Sequence, residues 1–397
     1  MVRLTSLVCL ALASFAAATP VVRRAPAGTV IKDQYVITFK KATSFAPRNL
    51  DSVINELLGA PHALTAGTTP APGLIHKYDF GSDSFQGFAA TIKDKAVLER
   101  IKASGEVDTI EEDHVVSLKT TQSGLPSGLW GIDSLDGSQD GSYTYPSQAG
   151  SGVDAYVIDT GCQTTHPEFQ GRATWGASFT GETTKTDGNG HGTHVSGTIG
   201  GKTYGVAKKV NIICVRVLNA QGSGSNSGVI AGINWAATAA KKSGRKSVAN
   251  MSLGGGKDSA TDKAAQALVA ANVALAVAAG NDAQTAACDQ SPAGASGVLT
   301  VAAADSSYTL ADFSSTGNCV EIIAPGVDIL SSWKGSSTNT ISGTSMATPH
   351  VVGALALAYS TNSFSRVQDA YNYITGRAAQ GEISSVPNDT PNAFLQI

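Results

Sequence analysis

The stretch VDAYVID, residues 153–159, decides the fold: it is almost wholly apolar, carries no alternation with polar residues, and ends on a carboxylate followed by Thr160 and Gly161. A strand reads this way when both of its faces are buried. The same texture recurs in VNIICVRVL (210–218), SVANMSL (247–253), VALAVAAGN (273–281), VLTVAAA (298–304) and VEIIAPG (320–326). Between these runs lie segments of helical spacing, HGTHVSGTIGG (191–201), SGVIAGINWAATAAKK (227–242) and DKAAQALVAAN (262–272). Buried strands interleaved with helices predict an α/β fold with a mostly parallel sheet. Groups that do chemistry then gather at the carboxyl ends of the strands.

Working outward, the remaining chain divides in three. Arg3, the apolar run LVCLALASFAAA and the small residues around Ala18 and Thr19 predict a secretory signal peptide over 1–19, too short for a membrane anchor. Residues 20–119 are richer in charge. DQYVITFK, IHKYDF, FQGFAATI and VDTIEEDHVVSL read as strands, and NLDSVINELL and KAVLERIKAS as helices, in the order βαββαβ of a small α+β domain. HALTAGTTPAPG is a loop by composition, and the polar KTTQSGLPSG at 119–128 reads as a linker and domain boundary. Residues 120–397 form the α/β domain.

The 397 residues suffice for two or three domains with sizeable cores. Only 15 % are charged, against about 25 % in ordinary domains, and the net charge is −3. No basic face predicts a nucleic-acid partner, and no charge run predicts an anionic membrane surface. Cys9 leaves with the signal, so Cys162, Cys214, Cys288 and Cys319 remain in a chain bound for an oxidising space.

Three side chains complete a chemical set. Asp159 sits at a strand tip, where a turn-forming aspartate is the ordinary alternative. His191 lies in the glycine-rich DGNGHGTHV (187–195), three residues before His194. A metal pair would need a third ligand, and no Glu or Cys sits nearby to supply one. Ser345 lies in GTSMATPH (343–350), ahead of the apolar VVGALALA, where a helix starts. A serine hydroxyl is a poor nucleophile until a histidine takes its proton, and the histidine needs a buried carboxylate to fix its tautomer. The order Asp, His, Ser is that of the subtilisin class, and the GxSxG elbow of the α/β-hydrolases is absent because Ala347 stands at its last position.

With YVIDTG, GNGHGTHVSGTIGG, NMSLGGG, AVAAGN and ISGTSMATPHVVG in this order, the chain resembles the subtilisin-like serine peptidases. THPEFQGRA and TYGVAKK further resemble the proteinase K branch, as in secreted fungal alkaline proteases. The resemblance implies the three-layer subtilisin-like fold, preceded by a ferredoxin-like inhibitory pro-domain. It implies Asp159, His191 and Ser345 as the triad and Asn281, at the end of a strand, as side-chain donor to an oxyanion beside the Ser345 N–H. His166, His194 and His350 are read as structural.

Gly222, Ser223 and Gly224 on one side, and Ser252, Leu253, Gly254, Gly255 and Gly256 on the other, are expected to flank an extended peptide as strands would. Neither run fits a phosphate-binding GxxxxGK[ST] loop. The S1 pocket drawn from SLGGG and AAGN is uncharged, so apolar or aromatic P1 residues are expected. No cofactor is expected for catalysis; a structural Ca²⁺ is implied at Ser296, Val298 and Glu321, the last where the family's pattern has an aspartate. The resemblance also implies a Cys288–Cys319 disulfide. Cys162 and Cys214 fall on neighbouring strands and are read either as a second bridge or, in preference, as two buried thiols. The sequon NDT at 388–390 is open to glycosylation, whereas NMS at 250–252 falls in a block expected to be buried.

These readings converge on a secreted, extracellular serine endopeptidase of broad specificity, made as a zymogen that cuts itself near Lys119 to Thr121. Its expected partners are protein and peptide substrates and its own pro-domain; a monomer is expected. A secreted pseudo-peptidase that only binds peptides is the alternative.

Overall fold

A computed structural model describes residues 21–23, 30–40, 49–59, 72–79, 86–114 and 119–397. The signal peptide, most of the loop HALTAGTTPAPG and the strand end VVSL at 115–118 lie outside these residues. The chain forms two compact units, Met1–Val116 and Ser117–Ile397.

In the first unit, β1 (Val21–Arg23), β2 (Val30–Phe39), β3 (Leu74–Asp79), β4 (Gln86–Thr91) and β5 (Val107–His114) form one sheet in the order β1-β5-β2-β4-β3. The expected βαββαβ order is present, with β1 added parallel to β5 at one edge. Helices α1 (Leu50–Leu58) and α2 (Lys95–Ala103) are capped by Asn49 and Asp94, whose side chains accept from Asp51 N and Ala96 N. Val53, Ile54 and Leu57 of α1 and Ile101 of α2 share one core with Ile37, Phe88, Ala90 and Ile110 of the sheet.

The second unit opens with a pair of strands. KTTQS, expected as linker, is strand β6 (Lys119–Ser123), antiparallel to β7 (Ser142–Pro146) and joined to it by Thr121 and Thr144 hydroxyls 3.0 Å apart. The polar KTTQS carries no apolar periodicity of its own; its pairing is fixed by the distant SYTYP, whose Tyr143 is buried in the core. The main sheet comprises β8 (Asp154–Asp159), β9 (Ala173–Ser178), β10 (Asn211–Arg216), β11 (Ser247–Met251), β13 (Val273–Ala278), β15 (Leu299–Ala304) and β16 (Ile322–Pro325), edged by β19 (Ala379–Gln380) and β20 (Ala393–Phe394). Its order is β19-β20-β16-β15-β13-β11-β8-β10-β9, and every pair is parallel except β19 with β20. Short ribbons pair β12 (Gly255–Gly256) with β14 (Gln290–Ser291) and β17 (Ile329–Trp333) with β18 (Ser337–Ile341).

Helices cover both faces. Ala155 and Val157 of β8 join the core under α4 (His191–Gly200), α7 (Thr344–Thr361) and α8 (Val367–Arg377). Tyr156 and Ile158, pointing the other way, join the core under α5 (Asn226–Ser243) and α6 (Ser259–Ala270). Burial on both faces is why VDAYVID shows no alternation. The parallel order brings the carboxyl ends of β8, β11 and β13 to one edge of the sheet, with the first turns of α4 and α7 facing them.

The four cysteines of the second unit are bridged, Cys288 to Cys319 and Cys162 to Cys214. The preferred expectation of free thiols at Cys162 and Cys214 is therefore wrong. The two strands are adjacent, and the chain turning back after β8 brings the cysteine Cα atoms within 5.7 Å, inside disulfide range. Sequence can place strands side by side without showing where their side chains point.

Candidate active site

Asp159 ends β8 with its carboxylate fully buried. Its Oδ1 accepts from Thr160 N at 2.7 Å, and His191 Nδ1 donates to Oδ1 at 2.8 Å and Oδ2 at 3.0 Å. A carboxylate can only accept, so Nδ1 carries the proton and Nε2 presents a lone pair. Burial disfavours the imidazolium, but the Asp159 charge, its hydrogen bond and the Asp187 charge outweigh this and hold the His191 pKa above its usual 6.5.

His191 is the first residue of α4, a helix that packs backbone against backbone on the turn after β8. A Cβ at Gly192 would strike the Gly161 carbonyl, and one at Gly190 would strike the Trp333 ring where φ is already +112°. The free N–H groups of this helix start are all accounted for: His191 N donates to Asn189 Oδ1 (3.2 Å), Gly192 N to Thr160 Oγ1 (2.9 Å) and Thr193 N to Asp187 Oδ2 (2.9 Å).

Ser345 is the second residue of α7 and half-exposed. Pro349, four residues on, has no N–H to give to the Ser345 carbonyl, and Ser252 Oγ takes that place at 2.7 Å. Asn250 Nδ2 steadies Ser252 Oγ at 2.9 Å, and Ser345 Oγ donates to the Ser252 carbonyl at 3.2 Å. The helix start leaves the Ser345 N–H without an intrahelical acceptor. Asn281, exposed just beyond β13, accepts through Oδ1 from Thr344 N and Thr344 Oγ1, both at 2.8 Å. With Oδ1 pinned twice, the amide N–H₂ is turned away as a free donor; Gly280 N–H, 3.2 Å from Thr344 Oγ1, completes the anchor.

A cleft of about 410 Å³ runs from His191 between the two expected edges. Gly222, Ser223 and Gly224 line one side, Ser252, Leu253, Gly254 and Gly255 the other, with Leu218 and Val229 as apolar wall. Gly255 and Gly256 pair with Ser291 and Gln290 in the β12–β14 ribbon beside the cleft.

The other histidines lie apart from this chemistry. His194 is buried, donates Nε2–H toward the carbonyls of Ile329 (2.9 Å) and Asn339 (3.2 Å), and is pushed down to about 3 by burial. His350 donates to the Met346 carbonyl and is pushed down to about 4. His166 caps a short turn by accepting from Glu168 N. Asn250 is fully buried, so its sequon is closed in the fold, while Asn388 is exposed.

At the implied calcium position, Glu321 Oε2 accepts from Thr300 N at 2.6 Å and Ser296 Oγ accepts from Gln266 Nε2. Burial pushes the Glu321 carboxyl up to about 7, and no cation pairs with it among the described residues. Glu321 is the single acidic side chain there, and no group of three or more His, Cys, Asp or Glu able to hold a metal occurs among the described residues. Three protein oxygens fall short of the six to eight that Ca²⁺ takes, so any such ion would stay hydrated.

Asp187, Thr160 and Thr344, which hydrogen-bond around these side chains, escaped the sequence reading. Only the place of Asp187, four residues before the histidine in DGNGH, could have marked it.

Fold and comparisons agree on the class. Residues 150–387 match the subtilase family model, and residues 34–119 match the peptidase inhibitor I9 model. A subtilisin-like serine protease AsES of Sarocladium strictum is 42 % identical over 92 % of this chain and 89 % of its own. Subtilisin-like serine protease Pen c 2 of Penicillium citrinum is 40 % identical over 91 % of this chain and 87 % of its own. Among solved structures, that of a cold adapted subtilisin-like serine proteinase superposes with a TM-score of 0.64 at 43 % identity, covering 69 % of this chain and 98 % of that one. The molecule is a serine endopeptidase made as a zymogen, with protein substrates and an intramolecular inhibitor. The chain belongs to the subtilase family.

Proposed function

We propose that Ser345, His191 and Asp159 carry out the peptide hydrolysis, with Asn281 as the oxyanion donor. Ser345 Oγ turns from the Ser252 carbonyl to His191 Nε2, gives up its proton there and bonds to the scissile carbonyl carbon. The carbonyl oxygen becomes an oxyanion held by Asn281 Nδ2 and the Ser345 N–H. His191 then passes the proton to the leaving amine, and water repeats the sequence to release the acyl group. The observation that carries this reading is the 2.8 Å contact between His191 Nδ1 and the fully buried Asp159 at the head of the cleft. The presence of all four residues, with Ser345 Oγ resting on the Ser252 carbonyl, argues against a peptide-binding pseudo-peptidase.

The absence of Asp, Glu, Lys and Arg from the cleft walls, with Leu218, Val229 and Leu253 among its polar and glycine lining, supports broad specificity with preference for apolar or aromatic P1. Kinetics on chromogenic peptides varied only at P1 test this: a higher kcat/KM for Phe or Leu than for Lys or Glu is expected, and a basic preference would overturn it. The N-terminal apolar run supports secretion, and no helix among the described residues is long and apolar enough to cross a membrane. Self-cleavage near Lys119 to Thr121 follows from joining an inhibitor domain to its own protease; the full-length chain carrying Ser345→Ala should stay uncut in a protease-free host. Ser296, Val298 and Glu321 would hold a structural Ca²⁺, and the exposed Asn388 would carry a glycan.

A further inference from the structure

We propose that Asp187 is a positioning residue for the catalytic histidine, a second buried carboxylate that fixes the His191–Asp159 geometry and holds negative charge beside the imidazole. This rests on the triad reading above.

Asp187 is 3 % exposed, and no Lys or Arg pairs with it. Its charge is met instead by five short donors. Oδ1 accepts from Thr160 Oγ1 (2.9 Å), Asn189 N (3.0 Å) and Gly190 N (2.8 Å); Oδ2 accepts from Thr193 N (2.9 Å) and Thr193 Oγ1 (2.7 Å). A buried carboxylate without a cation is costly unless it is hydrogen-bonded to this degree. The donors come from both structures that must meet in the triad. Thr160 belongs to the turn that carries Asp159, and Asn189 to Thr193 form the start of the helix that carries His191. Thr160 Oγ1 gives its proton to Asp187 and accepts from Gly192 N–H at 2.9 Å, which closes the loop between them.

The N-cap of α4 is Gly190, which has no side chain, so Asp187 does from outside the helix what a capping residue does from its first position. A negative charge there also meets the positive end of the helix. The titratable groups acting on His191 are Asp159 on β8 and Asp187 on the preceding loop, with His194 one turn along α4 held neutral. Removing the Asp187 charge while keeping its shape should therefore make the imidazolium easier to deprotonate.

The test uses the full-length chain carrying Ser345→Ala, which reads the histidine without needing activity. With ¹³C-labelled histidine, the His191 resonance is assigned by its loss in His191→Ala, and its titration is compared with and without Asp187→Asn. The expected result is a His191 pKa lower by roughly half a unit or more, less than the one to three units that a directly contacting opposite charge produces. In the active enzyme, Asp187→Asn should shift the acid limb of kcat/KM the same way and lower kcat about tenfold at little change in KM. Asp187→Glu should restore the limb toward wild type even if kcat stays low.

An unmoved His191 titration in a folded Asp187→Asn chain would overturn the proposal. So would a loss of activity that only tracks the folded fraction. Full activity of Ser345→Ala would instead sink the triad reading, so the two failures are distinguishable.

Discussion

The two halves of the site are held in place by different chemistry. On the histidine side, His191 bonds the buried Asp159 directly, and the buried Asp187 links Thr160, next to Asp159, to the backbone on either side of His191. On the serine side, Ser345 and Asn281 are tied by neutral groups: the Ser252 hydroxyl, the Thr344 hydroxyl and N–H, and the Asn250 amide. On the proposed mechanism, charge is confined to the side that would bind and release a proton. The side that would hold the oxyanion offers donors of fixed direction and no titrating group. Substitutions on the histidine side should therefore change both rate and pH dependence, and those on the serine side rate alone.

The largest effect is expected for His191→Ala, a loss of kcat on the order of 10⁶-fold, the scale known for serine triads. In the unsubstituted enzyme the same side sets the acid limb. The pKa of His191 is raised and only the neutral imidazole can accept the serine proton, so kcat/KM should climb through a midpoint above 6.5. The linkage to stability has the opposite sign. A histidine with a raised folded pKa contributes stability fully below about 6.5, and that contribution is lost as pH rises through its folded value. The enzyme thus works where this contribution is spent. An acid limb below 6.5 in a pH profile of kcat/KM would break the comparison.

Next comes Asn281→Leu, expected to cost about 10²–10³ in kcat with KM little changed, because the lost donor serves mainly the oxyanion. The limb should not move, and a shifted limb in this variant would mean that the serine side also governs proton affinity. Thr344→Val is smaller still. It removes the hydroxyl that pins Asn281 Oδ1 but leaves the Thr344 N–H, so about a tenfold loss in kcat is expected. Rates equal to wild type would show that the backbone contact alone aims the amide.

The smallest expected effect lies outside both halves. Glu321, pushed up to about 7, binds a proton more tightly folded than unfolded, so its burial penalises the fold increasingly as pH rises from about 4.5 to 7. Added Ca²⁺ should raise the melting temperature by about two or three degrees at pH 8 and hardly at pH 5. Equal stabilisation at both pH values would place the ion elsewhere.

The same contrast explains what the sequence could show. The main sheet was legible because β8, β11, β13, β15 and β16 are buried on both faces, and such burial leaves mostly apolar runs without alternation. Asp159 and Asn281 stood out as polar groups closing such runs, and His191 and Ser345 as polar groups opening apolar helices. The β6–β7 pair was not legible, since KTTQS is polar throughout and pairs with a strand beyond an intervening helical segment. The Cys162–Cys214 bridge depends on side-chain direction, which strand adjacency does not fix. The network of Asp187, Thr160 and Thr344 was invisible for a further reason. These are common capping and turn residues, and only their convergence in space distinguishes them.

The central claim is that Ser345 is a nucleophile activated by His191. Its most direct test is labelling of the active enzyme with a phosphonofluoridate at pH 8, with the modified peptide located by mass spectrometry. One equivalent should attach to the peptide containing Ser345, none should attach in Ser345→Ala, and labelling in His191→Ala should slow by several orders of magnitude. A label on another residue, or labelling of His191→Ala at the wild-type rate, would contradict the account.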